Sequence, residues 1–174
     1  MESELFEQFK NYDISTPHFS LNGTNTYGRL VDIYDGDTVK IVLPAFKDTY
    51  FKFDVRLNGI DTCEIKSHNP ENKEKGVKAK KRVCDMVEEI YGNYVNSKLE
   101  TQKEIKDYLK SIVCIVFVKC YNFDKYGRLL ADVYIDYNSL TRKSISEILL
   151  SEKLAYPYNG GTKLTEEEQL KITF

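Results

Sequence analysis

The sequence predicts an α+β fold that is mainly β, a five-stranded Greek-key barrel with two to three packed α-helices. Three strand patterns joined by short turns occupy residues 27–57, which indicates an antiparallel meander. A segment of helical period follows at 71–92, and two more strand patterns cover 111–120 and 129–136. This order of elements suits a barrel of the OB type, although periodicity by itself does not separate it from other α+β folds.

The strand patterns are of two kinds. Residues 38–44 and 50–57 alternate apolar with polar side chains, so that one face of each strand is apolar. Residues 111–120 form a continuous apolar run, which predicts a strand buried on both faces. The thirteen tyrosines and nine phenylalanines of the chain also favour strands.

The helical segment at 71–92 is amphipathic, and Gly92 is its predicted end. One apolar stripe runs along it, formed by Ala79, Val83, Met86 and Ile90. A second helix is predicted within 141–155. A third is predicted over 164–172, where Thr165 and Glu168 have the spacing of a capping box.

Length and composition indicate one globular domain. We expect residues 1–24 to be an N-terminal extension and residues 25–174 to form the domain of the 174-residue chain. The formal net charge of −2 excludes a polycation, so any contact with nucleic acid must use a local basic surface or a bound cation. No signal-peptide pattern and no run of about 18 apolar residues occurs. We therefore expect an intracellular protein that does not cross a membrane, with its four cysteines as free thiols.

Four acidic residues follow two of the predicted strands. Asp35 and Asp37 flank Gly36 in a turn, and Asp61 and Glu64 follow the third strand. Each of them taken singly has an ordinary interpretation as a turn or capping residue. If the strand ends are neighbours, however, the carboxylates lie close together, which is unfavourable unless a cation binds or a proton is shared. Hard oxygen ligands of this kind suit Ca²⁺ or Mg²⁺.

Two arginines lie near the same strand ends. Arg56 ends the third strand, and Arg128 follows the turn between the last two strands. Each could be an ordinary surface arginine. As a pair beside a divalent ion, however, they have the chemistry that stabilises negative charge on a phosphorus centre. A nearby carboxylate could then accept a proton from attacking water.

Four segments carry a resemblance to a known family. The segments "DGDTVKIVL", "VRLNGIDTCE", "DKYGRLLADVY" and "LAYPY" occur in the order seen in the staphylococcal nuclease (thermonuclease) family. The resemblance covers roughly residues 27–160. It implies an OB barrel with packed helices and Ca²⁺-dependent hydrolysis of DNA and RNA, with little sequence preference and with single-stranded or locally open substrate favoured. The products would carry 3′-phosphate and 5′-hydroxyl ends.

The resemblance also implies roles for individual residues. The calcium ligands would be Asp37, Asp61 and the backbone carbonyl of Thr62, with Asp35 linked to the ion through water. The catalytic residues would be Arg56, Arg128 and the general base Glu64. The nucleotide pocket would be lined by Lys125, Tyr126, Tyr156 and Tyr158.

Two departures from the family pattern leave alternatives open. Cys63 stands where the family usually has proline, and a polar insertion is expected at about 93–110. The alternative function is a non-catalytic binding module of the Tudor–staphylococcal nuclease type, which has lost the acids and arginines. A small-nucleotide or sugar-binding OB domain is a third possibility, but it does not explain two arginines beside a carboxylate cluster. Because this chain retains the acids and the arginines, the sequence favours the enzyme over the binding module.

Overall fold

The computed structural model describes residues 2–47, 49–92, 99–136, 138 and 142–172. Within these residues, five strands close into a barrel in the order β1-β2-β3-β6-β5, and two short strands form a separate pair. The barrel strands are β1 (Asn25–Ile33), β2 (Thr38–Phe46), β3 (Thr49–Leu57), β5 (Ile115–Phe123) and β6 (Leu129–Tyr134). The short pair is β4 (Ile60–Asp61) with β7 (Tyr156–Pro157). The predicted five-stranded barrel is confirmed.

Closure of the barrel depends on one parallel contact. The pairs β1–β2, β2–β3, β1–β5 and β5–β6 are antiparallel, whereas β3 and β6 run parallel, with Arg56 opposite Leu130. Because β6 pairs only with residues 55–57, the outer half of the β2–β3 hairpin has no paired strand on that side among the described residues. Phe51 is therefore half exposed, although its alternation predicted an apolar buried face.

The inner face of the barrel is the hydrophobic core. Val39, Ile41 and Leu43 of β2 are fully buried, as their alternation predicts. The expected burial of β5 on both faces is wrong, since Val116, Val118 and Cys120 are buried while Phe117 is partly exposed and Lys119 is exposed. A barrel strand has one face inside and one outside, and the apolar run could not show which residues lie outside.

The helices in the described part of the chain are α1 (Glu2–Phe9), α2 (Pro70–Tyr91), α3 (Gln102–Ser111), α4 (Ile145–Ser151) and α5 (Glu166–Ile172). The side chain of Asn69 caps α2 by accepting from the backbone amides of Glu71 and Asn72. At its other end the Gly92 amide donates to the Glu88 carbonyl, as the predicted end requires. The apolar stripe of α2 is buried up to Met86, but Ile90 is 45% exposed.

Helices α2 to α5 pack on the barrel or on one another, and α3 lies across β1. Helix α3 falls inside the insertion expected at about 93–110, of which residues 93–98 lie outside the described residues. Arg29 of β1 donates to the Ile112 carbonyl over 3.1 Å just after α3. No helix in the described ranges is long and apolar enough to serve as a membrane-spanning segment.

Candidate active site

Arg56 lies buried between two carboxylates at the end of β3. Its Nη1 is 2.5 Å from Asp37 Oδ2, and its Nη2 forms an ion pair with Asp61 Oδ1. Only 5% of Arg56 is exposed. Strand pairing explains the geometry, because Arg56 is opposite Thr38, which directly follows Asp37. The charges that the sequence places in separate turns therefore meet in the folded chain.

Asp37 is held by several donors besides Arg56. The backbone amide and the hydroxyl of Thr62 each donate to Asp37 Oδ2 over 3.0 Å, and the Thr38 hydroxyl donates to Oδ1 over 3.0 Å. Burial acts to raise the pKa of Asp37. The charge of Arg56 and the hydrogen bonds outweigh this effect and hold the pKa below its usual value. Asp37 is therefore a fixed negative charge.

Asp61 is fully buried in the short β4–β7 pair, where it lies opposite Tyr156. The Tyr156 hydroxyl donates to Asp61 Oδ2, and Lys163 Nζ is 3.1 Å from Asp61 Oδ1. Burial is the main cause that raises the pKa of Asp61. Burial and the bond to Asp61 also raise the pKa of Tyr156, which keeps its hydroxyl protonated as a donor.

Asp35 shows how strongly the acids act on one another. Its Oδ1 accepts the Asp37 amide over 3.2 Å. Burial and the charge of Asp37 raise the pKa of Asp35 to about 7. Within this pair, Asp35 is therefore the acid that gains a proton more easily.

Glu64 is exposed and faces a cavity that the buried Asp37 also lines. This cavity of about 350 Å³ is also lined by Asp35, Asp37, Arg56 and Arg128. The loop that carries Glu64 lies against α2 at Gly76, where an added Cβ would be 2.4 Å from the Cys63 carbonyl oxygen. The close contact of helix and loop thus requires glycine at this position.

Arg128 lies in the β5–β6 turn, and Asp124 orients its side chain. Its Nε is 2.8 Å from Asp124 Oδ2, and its backbone amide donates to Oδ1 over 2.9 Å. Burial acts to raise the pKa of Asp124, but the hydrogen bonds from Arg128 outweigh it and lower the pKa. The ion pair fixes the Arg128 side chain at the boundary between two cavities.

The second cavity adjoins the first and has a volume of about 550 Å³. Arg56 and Arg128 line both cavities, and Lys125, Tyr126 and Tyr158 line the second. The Tyr126 ring is 73% exposed, with Lys125 Nζ 5.1 Å and Arg128 Cζ 5.5 Å from its centroid. An exposed ring between cations is a surface on which a base can stack.

The structure brings together most of the residues that the sequence singles out, with one exception. Tyr156 is fully buried under Asp61 and does not line the second cavity with Tyr126 and Tyr158. Cys63 is buried, and its Sγ accepts the Asn72 side-chain amide over 3.7 Å. All four cysteines are reduced, which confirms the expected free thiols.

Sequence reasoning missed Lys163, whose Nζ is 2.9 Å from Glu64 Oε1 and 3.1 Å from Asp61 Oδ1. Burial would lower the pKa of Lys163, but Glu64 and Asp61 outweigh it and raise the pKa. Nothing in the local sequence marks this lysine, because its partners lie about a hundred residues away along the chain.

The donor chemistry of the site suits a calcium ion, since Asp35, Asp37 and Asp61 all offer carboxylate oxygens. The carboxylate oxygens of Asp37 and Asp61 are nevertheless engaged by Arg56, Tyr156 and Lys163. Within the described ranges, no three His, Cys, Asp or Glu side chains are arranged as a ready metal site.

Comparisons of the sequence with known proteins show which family the chain resembles. The sequence model of the family described as "Staphylococcal nuclease homologue" matches residues 54–172, which leaves Asp35 and Asp37 outside the match. The chain is 34% identical over 139 residues to Endonuclease YncB of Bacillus subtilis (strain 168), covering 78% of this chain and 51% of that protein. It is 34% identical over 136 residues to the SPbeta prophage-derived endonuclease YokF of the same strain, covering 76% of this chain and 36% of that protein. The chain thus spans about half, or less, of these relatives.

Proposed function

Because this chain belongs to the family of staphylococcal nuclease homologues, we propose that it is a calcium-dependent nuclease that hydrolyses phosphodiester bonds in DNA and RNA. The observation that carries the proposal is the buried Arg56, held between Asp37 and Asp61 beside a cavity that Glu64 and Arg128 also line. Keeping such charges out of water is unfavourable, so the arrangement has no evident purpose in a plain binding module.

The substrate would lie across the two adjoining cavities. Arg56 and Arg128 line both, and each guanidinium can donate two hydrogen bonds to a phosphate. Tyr126 and Tyr158 would stack on a base, and Lys125 would add positive charge. Stacking and phosphate contacts tolerate any sequence. Stacking on a tyrosine ring also requires a base that is free of its partner strand. We therefore propose single-stranded or locally open nucleic acid as the substrate.

Glu64 would act as the general base. Its carboxylate faces the cavity in which the two arginines would hold the phosphate, so a water molecule between them could lose a proton to it. Arg56 and Arg128 would stabilise the charge that develops on the phosphate oxygens. The leaving group would be the 5′ oxygen of the next nucleotide, which yields 3′-phosphate and 5′-hydroxyl ends.

Asp37, Asp61 and the Thr62 carbonyl would hold the calcium ion, with Asp35 linked through water. When bound, the ion would supply positive charge against the phosphate. These residues already lie within one cluster, in which Thr62 donates to Asp37 and both carboxylates contact Arg56. The role of the protein is to keep these oxygens together and out of bulk water.

Cleavage of a labelled single-stranded DNA, with calcium or with chelator, tests this function. We expect cleavage only with calcium, and a rate that falls ~10²–10⁴-fold in Glu64→Gln, the range for loss of a general base. Glu167→Gln, an exposed acid on α5, is the matched control and should cleave at the wild-type rate. Equal cleavage with calcium and chelator, or a fully active folded Glu64→Gln, would contradict the proposal.

The ends of the products test the direction of bond cleavage. Products with 5′-hydroxyl ends accept phosphate from polynucleotide kinase without prior phosphatase treatment, and 3′-phosphate ends block extension by a polymerase. We expect both results from DNA and from RNA. Products that carry 5′-phosphate would show that the other oxygen leaves.

A further inference from the structure

Lys163 lies between two acids to which the proposed function gives different roles. Its Nζ is 3.1 Å from Asp61 Oδ1, a proposed calcium ligand, and 2.9 Å from Glu64 Oε1, the proposed general base. One ammonium group therefore bridges the carboxylate of the cation site and the carboxylate that would accept the proton. The inference below rests on the proposed function, because it concerns these two acids.

The fold holds Lys163 in this position from both sides. Upstream, the Tyr158 amide donates to the Gly59 carbonyl over 2.9 Å. Downstream, Asn72 of α2 donates to the Glu166 carbonyl and to the Gln169 side chain, each over 3.2 Å, which fixes α5. The loop between these anchors is short, so the ammonium reaches the acids from a defined backbone position.

The charges of the site differ in how easily they can move. Arg56 is enclosed, with 6% of its side chain exposed, and Arg128 is paired with Asp124. The Lys163 side chain is 48% exposed and hangs on a flexible four-carbon stem. Among these three cations, Lys163 is the one that can leave the acids without unfolding the surrounding chain.

We propose that Lys163 is an internal counter-ion that competes with the divalent cation for Asp61, and that it leaves both Asp61 and Glu64 when the cation binds. An ammonium group and a calcium ion repel each other, and both would contact the Asp61 carboxylate. Lys163 thus stabilises the acid cluster in the metal-free protein. It also weakens calcium binding, and its departure frees Glu64 to accept a proton.

Calcium binding in the absence of substrate tests this competition by isothermal titration calorimetry. We expect Lys163→Met and Lys163→Gln to bind calcium about fivefold to tenfold more tightly than wild type, because a repelling charge within a few ångströms is removed. Lys163→Arg keeps the charge and should bind within about twofold of wild type. Lys171→Met removes an exposed lysine of α5 and is the matched control for net charge.

Some results of this titration would contradict the proposal. Calcium affinity in Lys163→Met that equals wild type, or that equals Lys171→Met, would overturn the proposal. So would a failure of both wild type and Lys163→Met to bind calcium. Circular dichroism of each variant checks that the fold is retained.

Chemical labelling of the wild-type protein gives a second readout that needs no substitution. A lysine-acetylating reagent, followed by mass spectrometry, should modify Lys163 several times faster with calcium than with chelator, since the ammonium is released into water. Labelling of Lys171 should not change. A rate at Lys163 that is unchanged or lowered by calcium contradicts the proposal.

DNA cleavage measured on the same samples separates this inference from the proposed function. If wild type cleaves DNA with calcium but Lys163→Met binds the ion no more tightly, only the role of Lys163 fails. If Lys163→Met binds calcium more tightly while wild type and variant both leave DNA intact, the nuclease proposal fails and the counter-ion role remains.

Discussion

At the scale of single residues, the site depends on charges that are buried together. Arg56 is 5% exposed and contacts Asp37 and Asp61. Burial of these groups is unfavourable by several kcal/mol per ion, so it persists only where other hydrogen bonds satisfy the carboxylates. Thr62 provides them for Asp37, and Tyr156 provides one for Asp61.

Tyr156→Phe removes the hydroxyl that donates to the buried Asp61 carboxylate. We expect the free energy of unfolding to fall by about 1–3 kcal/mol, the cost of leaving a buried acceptor without its donor. Tyr158→Phe is the control, since its hydroxyl donates to the exposed Gly161 carbonyl, and should cost less than about 0.5 kcal/mol. Equal losses of unfolding free energy in urea would show that the hydrogen bond to Asp61 stabilises the fold no more than the one to Gly161.

At the scale of elements, short-range caps set where helices begin, and one close contact at Gly76 sets how α2 packs against the loop that carries Glu64. Ser144 and Glu147 form a capping box at the start of α4, and Thr101 and Glu104 form another at α3. Thr165 and Glu168 bond each other at the start of α5, as their spacing predicts. These contacts are local in sequence, and the Thr165–Glu168 spacing predicted the one at the start of α5.

The capping box of α4 has a pH dependence. Hydrogen bonds from the Ser144 amide and hydroxyl lower the pKa of Glu147. A carboxyl with a lowered folded-state pKa stabilises the protein above its unfolded pKa and loses that effect as pH falls through the folded value. We expect Glu147→Gln to be about 0.5–1 kcal/mol less stable than wild type at pH 7, with a difference that shrinks as the pH falls from 7 to 3.

Denaturant unfolding of both proteins across that pH range measures the difference. Glu167→Gln, an acid of the first turn of α5, controls for the loss of one exposed charge. A gap between wild type and Glu147→Gln that stays constant from pH 7 to pH 3 would contradict the ionic origin of the effect.

Gly76→Ala tests the contact between α2 and the loop that carries Glu64. Helix propensity alone would favour alanine by about 1 kcal/mol. The new Cβ would nevertheless lie 2.4 Å from the Cys63 carbonyl oxygen and 2.9 Å from the Ile65 nitrogen, so we expect a net destabilisation of about 1–3 kcal/mol. Thermal unfolding measures it, with Val77→Ala, which is half exposed, as a nearly neutral control. A rise in melting temperature for Gly76→Ala would show that the loop moves away from the new methyl group at little energetic cost.

At the scale of the whole molecule, distant segments converge on one end of the barrel. Asp37 comes from the β1–β2 turn, Asp61 and Glu64 from the chain after β3, and Arg128 from the β5–β6 turn. The parallel pairing of β3 with β6 is what puts Arg56 opposite Leu130, two residues beyond Arg128. The site therefore requires a closed barrel, and loss of closure would separate its members.

The first part of the N-terminal extension, residues 2–17, should contribute little to this assembly. The described side chains before Leu21 are exposed, including Phe6 and Phe9 of α1, whereas Leu21 is buried and the Gly23 amide donates to the Cys120 carbonyl. Removal of residues 2–17 should change the free energy of unfolding by less than about 0.5 kcal/mol. Removal of residues 2–24 should destabilise the barrel by more than about 2 kcal/mol, because it takes away Leu21. Equal stability of the two shortened proteins would contradict this boundary.

The sequence by itself determined the features that depend on neighbours along the chain. Alternation predicts β2, helical period predicts α2, and the spacing of Thr165 and Glu168 marks the start of α5. The order of four motifs indicates the family, and the acids and arginines at the strand ends predict where the chemistry lies. Apart from the order of the motifs, each of these signals is carried within about twenty residues.

Only the tertiary structure decided which of these side chains are buried and what they contact. It places Tyr156 beneath Asp61, leaves Phe51 half exposed on the hairpin, and brings Lys163 to Glu64 from about a hundred residues away. Such contacts follow from barrel closure and from the path of the last loop. Local periodicity does not encode either of them, because a side chain's partner across space is set by the packing of whole elements.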